Sequence, residues 1–189
     1  MDKGILNFND LVGTRKGAFL VCGEGPSLDT KPEEFYNNFD GTTVGFNQIR
    51  LVFHPDYYLN SHILGNVLEE CKTTQYYQYE TNRIIKGPER DGKIVRGFTI
   101  NRAFSCAYHL GATDIYVIGV DACDAPDGRK TNKWRVAAGI PGIYDEEMYD
   151  QMFKSFCEVA AVYKSAGVNL YDLSPWGRLP SNLFTKVKE

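Results

Sequence analysis

Short apolar runs ended by glycine or by polar turns recur along the chain, separated by longer stretches whose apolar positions fall at helical spacing. Residues 18–22 (AFLVC), entered from Lys16-Gly17 and ended by Gly23, form the first such run and predict a strand. Residues 42–46 (TTVGF) predict a second, and residues 51–60 (LVFHPDYYLN) a third, in which Pro55 demotes the first half to an approach loop. Residues 73–79 (TTQYYQY) are β-branched and aromatic, as strands are. Residues 114–121 (DIYVIGVD) are nearly continuously apolar, which suits a central parallel strand covered on both faces, and residues 169–173 close the series.

Between these runs, residues 29–39 carry Pro32 near the start of an expected helix, with Glu33 and Glu34 in its first turn, where the dipole favours negative charge. Residues 62–71 (HILGNVLEEC) place Ile63, Val67 and Cys71 at helical spacing and predict a short helix. The strongest helical unit covers residues 99–110, with Thr99 as the expected N-cap and Gly111 where a left-handed C-terminal residue is wanted. A last long helix is expected over residues 145–165, before Gly167. Residues 1–16 read as a polar lead-in, 82–93 as a surface loop marked by Gly-Pro and Asp-Gly, and 178–189 as a tail. Residues 122–143 are rich in glycine, proline and charge, and a loop of that length in a compact domain reads either as a functional lid or as disordered.

This alternation predicts an α/β fold: a single Rossmann-like domain over residues 1–189, its mostly parallel sheet flanked by helices. In such sheets ligands sit beyond the carboxyl ends of the strands, so the segments after residues 22, 46, 60, 121 and 173 should meet in one crevice.

Composition narrows the function classes. The net charge of −3, from 21 basic and 24 acidic residues, lacks the basic excess of a nucleic-acid binder. Wholly apolar stretches are too short for a membrane span, and MDKGILNFND lacks the order of a signal peptide, so a cytoplasmic protein is expected. The five cysteines, Cys22, Cys71, Cys106, Cys123 and Cys157, lie far apart without a C-x-x-C pair and predict free thiols. The aromatic content of 13% suits strands and ring-lined pockets; it would also support a homo-oligomer, although no helix face demands one.

Candidate chemistry gathers at the expected crevice. The first strand runs into C-G-E-G-P-S-L-D, where Gly23 and Gly25 allow close backbone approach, and Ser27 with the amides opening the next helix could donate to a phosphate. The stretch has neither the third glycine of the dinucleotide fingerprint nor the lysine of a P-loop, and a strand-to-helix turn capped by Ser27 explains it equally well. Asn47 and Gln48 follow the second strand; an amide suits a base edge or a ribose hydroxyl, while Asn is also a common turn residue. Of the histidines, His109 has apolar neighbours and reads as structural, and His54, near Pro55, as a loop residue rather than a base; His62 is the third.

Asp121, Asp124 and Asp127 lie three apart and do not match an EF-hand, whereas a magnesium ion held by Asp121 and a substrate phosphate needs only one or two carboxylates. Arg129, Lys130, Lys133 and Arg135 in the expected lid could close over phosphates, with Gly139 and Gly142 as hinges, although a solvated charged face is the simpler reading.

Taken in order, the strand ending in G-x-G-P-S-L, then Phe46-Asn47-Gln48, residues 99–121 (TINRAFSCAYHLGATDIYVIGVD) and a final strand ending in Ser174-Pro175 resemble the bacterial sialyltransferases of glycosyltransferase family 42. A related pattern is that of the archaeal-type 6-hydroxymethylpterin diphosphokinase-like family, which shares the G-P-S-L turn and the L-G-x-x-x-I-Y-x-x-G-x-D unit. The likeness covers about residues 17–177. The sialyltransferase resemblance implies a CMP-type nucleotide sugar held without a metal, and a small-molecule or glycan acceptor. It implies Gly23, Gly25, Pro26 and Ser27 along the phosphate and ribose, and Asn47 and Gln48 beside the ribose or phosphate. It further implies Thr99 at the nucleotide-facing helix start, Asp121 at the crevice, and Ser174 and Pro175 closing the base pocket.

Those transferases carry a general-base histidine before the last long helix. Here that segment reads GIPGIYDEEMYDQ, with Tyr144 and Tyr149 but no imidazole. Either a carboxylate such as Asp145 or Glu146 substitutes, or the acceptor chemistry differs. The diphosphokinase likeness implies instead a magnesium-dependent pyrophosphoryl transfer to a pterin-like or nucleoside acceptor, using Asp121 and Asp124, with the lid cations neutralising the transferred group. The missing histidine also motivates a third reading, a Rossmann-like module that binds a nucleotide without catalysis.

Overall fold

The apolar run after Lys16 is a strand because both of its faces find cover. In β2 (Gly17–Cys22), Phe19 and Val21 enter one core and Leu20 and Cys22 the other, all four fully buried. The computed structural model describes residues 4–59, 66–82, 89–96, 98–121, 123–140 and 146–187. Before β2 comes β1 (Leu6–Asn7); after it follow α1 (Glu33–Asn37), β3 (Thr42–Phe46), β4 (Tyr57–Leu59), β5 (Val67–Glu70), β6 (Gln75–Gln78), β7 (Thr81–Asn82) and β8 (Ile94–Val95). The second half holds α2 (Thr99–Leu110), β9 (Ala112–Ile118), α3 (Lys133–Ala137), α4 (Glu146–Ser165), β10 (Asn169–Asp172) and β11 (Thr185–Lys186).

Nine strands form one sheet in the order β1-β6-β5-β4-β3-β2-β9-β10-β11, parallel from β4 to β11 and antiparallel where β5 pairs with β4 and β6. A short parallel pair, β7 and β8, stands apart. This is the expected Rossmann-like α/β domain. On one face of the sheet, Ala103, Phe104 and Ala107 of α2 pack with Phe156, Val159 and Tyr163 of α4 over Phe19, Val21, Ile115 and Val117. On the other, Leu28, Tyr36, Ile49 and Phe53 cover Leu20, Cys22 and Ile118. At about 25 cal/mol per Å² of apolar surface removed from water, this two-sided burial of the central strands is the main driving force for the fold.

Several local expectations change. The described part of residues 62–71 is strand, not helix: Tyr57 pairs with Glu70 and Tyr58 with Glu69, so β5 is held between β4 and β6. The two glutamates, which read as the polar side of a helix, are buried. Glu70 accepts from Arg15, Tyr57, Thr73 and Tyr77, and Glu69 pairs with Arg50, so tertiary pairing overrides a short helical periodicity. His62 lies outside the described residues.

The lead-in supplies β1 and a turn of 3₁₀ helix at Phe8–Leu11 whose Phe8 and Leu11 are buried, and the tail supplies β11 and the buried Phe184. The expected helix over residues 29–39 is split into a 3₁₀ turn at Pro26–Thr30 and the short α1. The N-cap of α2 is Phe98, with no side-chain cap bond, and Gly111 closes the helix at φ 129°.

His109 is structural, as expected. Its Nδ1 accepts from the Gly92 amide at 3.2 Å, and burial pushes the imidazole down to about 4, with Asp91 pulling it up and Arg90 down. The unfolded ring gains its proton near 6.5 and the folded ring only near 4, so this contribution is whole above pH 6.5 and is lost as pH falls between those values. Urea unfolding at pH 7.5 and 4.5 should show wild type losing roughly 2 kcal/mol more than His109→Gln. Equal losses in the two proteins would contradict this role.

Candidate ligand site at the switch point of the sheet

From β2 the chain runs outward through β3 and β4, then returns through α2 to β9 on the other side of β2, and continues to β10. The loops after β2 and β9 therefore leave adjacent parallel strands in opposite directions, which opens a crevice at the carboxyl edge of the sheet.

The glycines of the 23–25 turn are set by this divergence. A Cβ on Gly23 would stand 2.2 Å from the Gly119 carbonyl oxygen, and one on Gly25 would stand 2.5 Å from Asp121 Oδ2. Gly119 itself has φ +71°, a left-handed geometry suited to glycine. The resulting backbone contact is hydrogen-bonded throughout. The amides of Gly23 and Gly25 donate to the carbonyls of Ile118 and Gly119, each at 2.8 Å, and the Gly119 amide donates to Ser27 Oγ at 2.9 Å.

Asp121 fastens the junction. Its Oδ2 accepts from the Ser27 amide at 2.8 Å and its Oδ1 from the Ser174 hydroxyl at 2.5 Å, while the Gly177 amide donates to Ser174 Oγ. Burial raises the carboxyl above its ordinary range, against the pull of Ser174 and Ser27. Both oxygens thus accept from protein donors, which makes Asp121 a brace between the loops after β2, β9 and β10. Among the described residues, no group of three or more His, Cys, Asp or Glu side chains could hold a metal.

Above this junction lies a cavity of about 410 Å³. Its floor is Gly23 to Pro26 with Gly119, Val120 and Asp121. One wall is the start of α2, where Thr99, Ile100 and Arg102 face inward. The amides of Asn101 and Arg102 bond the Phe98 carbonyl, and the dipole makes that end of the helix positive. Arg102 lies near the Tyr79 hydroxyl, yet its buried Nε finds no acceptor among the described residues. Lys130 adds a second cation, and Tyr149 and Met152, one turn apart on α4, give an apolar rim with Phe98.

The lining also includes Phe46, Asn47 and Glu24. The Glu24 carboxylate receives the Gln48 amide on Oε1 and Arg135 Nη1 on Oε2, both at 2.6 Å, and this ion pair is buried, with side chains 9% and 8% exposed. Desolvation raises Glu24 above the usual carboxyl range, and Arg135, Gln48 and Asn47 oppose it. Asn47 has φ 53°; its Nδ2 points at Glu24 Oε2 across 3.5 Å, and its buried Oδ1 has no partner among the described residues.

The 124–140 loop is tied to the same turn. The Glu24 carbonyl takes Thr131 Oγ1 and both the amide and the side chain of Asn132, which also caps α3 by accepting from Arg135. Asp29 takes the Lys133 amide and an ion pair from Arg129. Of the four loop cations, Lys130 and Arg135 line the cavity; Arg129 is engaged by Asp29 and Asp127, and Lys133 lies over the Trp134 ring.

Among the residues expected at the site, Gly23, Gly25, Pro26, Asn47, Thr99 and Asp121 line the cavity. Ser27 lies buried beneath it, and Gln48 contributes its amide to Glu24. Ser174 braces Asp121 from below and Pro175 is exposed; neither is part of the cavity lining. Glu146 is exposed at the start of α4, off the lining. Tyr144, Asp145 and Gly142 lie outside the described residues.

Sequence reasoning passed over Glu24, Arg102, Cys123 and Met152. Arg102 was findable, because it falls one turn after Thr99 on the same face of α2. Comparison of the chain with protein-family models, curated proteins and solved structures gives no match.

If Asp121 is the fastening of this junction, Asp121→Ala leaves the Ser27 amide and the Ser174 hydroxyl without their acceptor and should lower the unfolding free energy by roughly 3 kcal/mol. Denaturant unfolding measures this directly. A variant as stable as wild type would remove Asp121 from the structural account.

Proposed function

We propose that the chain is a nucleotide-binding transferase of the glycosyltransferase kind, taking a CMP-type nucleotide sugar in the crevice between β2 and β9 and passing the sugar to a small-molecule or glycan acceptor. The observation that carries the binding half is the mixed lining of the cavity. It holds the cations Arg102, Lys130 and Arg135 and a helix start, and with them a carboxylate, an amide and aromatic rings. A nucleotide offers a phosphate to the first set and a nucleoside to the second. Helix starts favour phosphate, and Arg102 and Lys130 would add charge-assisted hydrogen bonds there.

The phosphate is assigned to the α2 wall rather than to the 23–28 turn, since the amides of Gly23, Gly25, Ser27 and Leu28 already have acceptors. The CMP-type donor and the transfer reaction rest on the four-segment resemblance in sequence. The sugar would extend toward the Tyr149 and Met152 rim, where an acceptor can enter. No helix among the described residues is long and apolar enough to cross a membrane.

Isothermal titration of wild type with CMP, UMP, AMP and GMP should give measurable binding, tightest for CMP. Arg102→Ala and Lys130→Ala should each weaken it roughly 10-fold or more, as loss of a charge-assisted hydrogen bond does. Failure of all four nucleotides to bind would overturn the proposal.

A further inference from the structure

Within that nucleotide reading, on which this step rests, we infer that Tyr79 is a positioning residue for Arg102, a neutral brace that fixes the guanidinium for a ligand phosphate without cancelling its charge. Tyr79 follows β6 and belongs to the core that α2 and α4 cover, 3% exposed. Its amide donates to the Asn66 carbonyl at 2.9 Å, and its ring meets Phe8 edge to face with centroids 6.3 Å apart. Backbone and ring are both anchored, so the hydroxyl has a fixed place, within electrostatic reach of Arg102 and Cys106, one turn apart on α2. Tyr79 is not part of the cavity lining, whereas Arg102 is, so the hydroxyl acts on a ligand only through the guanidinium.

Two buried polar groups meet there with nothing to complete them. Burial raises the Tyr79 hydroxyl above its ordinary range, and the charge and hydrogen bonding of Arg102 oppose the rise, so the two side chains interact. Yet neither the Tyr79 hydroxyl nor Arg102 Nε completes a hydrogen bond of ordinary geometry among the described residues. A phenol oxygen can accept a guanidinium N–H and still has a proton to give, whereas a guanidinium only donates. The pair is therefore short of an acceptor, and a buried donor without one is destabilising. An anion brought to the guanidinium from the cavity supplies it.

Arg135 shows by contrast what kind of brace this is. It lines the same cavity, but Glu24 holds it at 2.6 Å in a buried ion pair that balances its charge. Arg102 has no carboxylate partner among the described residues. A carboxylate beside Arg102 would fix it equally well and neutralise it; a hydroxyl fixes it and leaves the full charge for the ligand. Arginine has much rotamer freedom to lose, and holding it in place before the ligand arrives lowers the cost of binding. The hydroxyl of Tyr79 therefore acts on affinity for the phosphate and leaves affinity for the nucleoside alone.

Titration with CMP and with cytidine separates the phosphate from the nucleoside. Tyr79→Phe keeps the ring and removes only the hydroxyl, and should lower the CMP-to-cytidine affinity ratio roughly 5-fold through weaker binding of CMP. Because the hydroxyl completes no bond in the free protein, the variant should melt no lower than wild type. In an Arg102→Ala background the same substitution should change the ratio by less than about 2-fold, since its effect runs through that guanidinium. A wild-type ratio in Tyr79→Phe, or an equal loss in the Arg102→Ala background, would overturn the positioning role and leave the nucleotide reading in place. A lower melting temperature with the ratio unchanged would do the same and make the hydroxyl structural. Failure of wild type to bind CMP would overturn the nucleotide reading, and this role with it.

Discussion

The contact on which the site depends is backbone against backbone, where Gly23 and Gly25 meet Gly119 with no side chain between them. Two parallel strands whose loops part in opposite directions leave a gap at their carboxyl edge. Here the gap is sealed from below by three hydrogen bonds between the two loops and by Asp121, which reaches the Ser27 amide on one side and the Ser174 hydroxyl on the other. A methyl group at position 23 would force the loops apart, and overpacking of that kind costs roughly 1–3 kcal/mol. The floor of the cavity is therefore rigid, and the amides of Gly23, Gly25 and Gly119 already have acceptors.

That rigidity transfers recognition to the walls. The start of α2, Arg102 and Lys130 bring positive charge to the cavity, and the buried pair of Glu24 and Arg135 is nearly neutral. A buried ion pair is weak evidence for stability, and its value here lies in placement. Glu24 ties together the 23–25 turn, the end of β3 and the 131–135 segment in one network, so its acceptors are preorganised before any ligand arrives. Preorganised acceptors discriminate through the cost of leaving them unpaired.

The fold was legible where burial is two-sided. Residues 18–22 and the apolar core of the expected 114–121 run, residues 115–118, have no polar face, and a covered parallel sheet accommodates such runs. It was illegible where polar residues are buried by pairing, as in β5, whose Glu69 and Glu70 find Arg50, Arg15 and three hydroxyls from distant segments. The site followed the same rule. Gly23, Gly25, Asn47, Thr99 and Asp121 were found because each stands at a strand end or a helix start. Glu24 was passed over because its role depends on Gln48 and Arg135, which lie 24 and 111 residues away along the chain. Asp121 lines the crevice, and its partners Ser27 and Ser174 make it a fastening.

A crystal structure of the protein soaked with CMP tests the central claim most directly. The account predicts the phosphate against Thr99, Ile100 and Arg102 at the start of α2. A phosphate seated on the 23–28 turn, or a nucleotide bound anywhere outside the crevice, would contradict it.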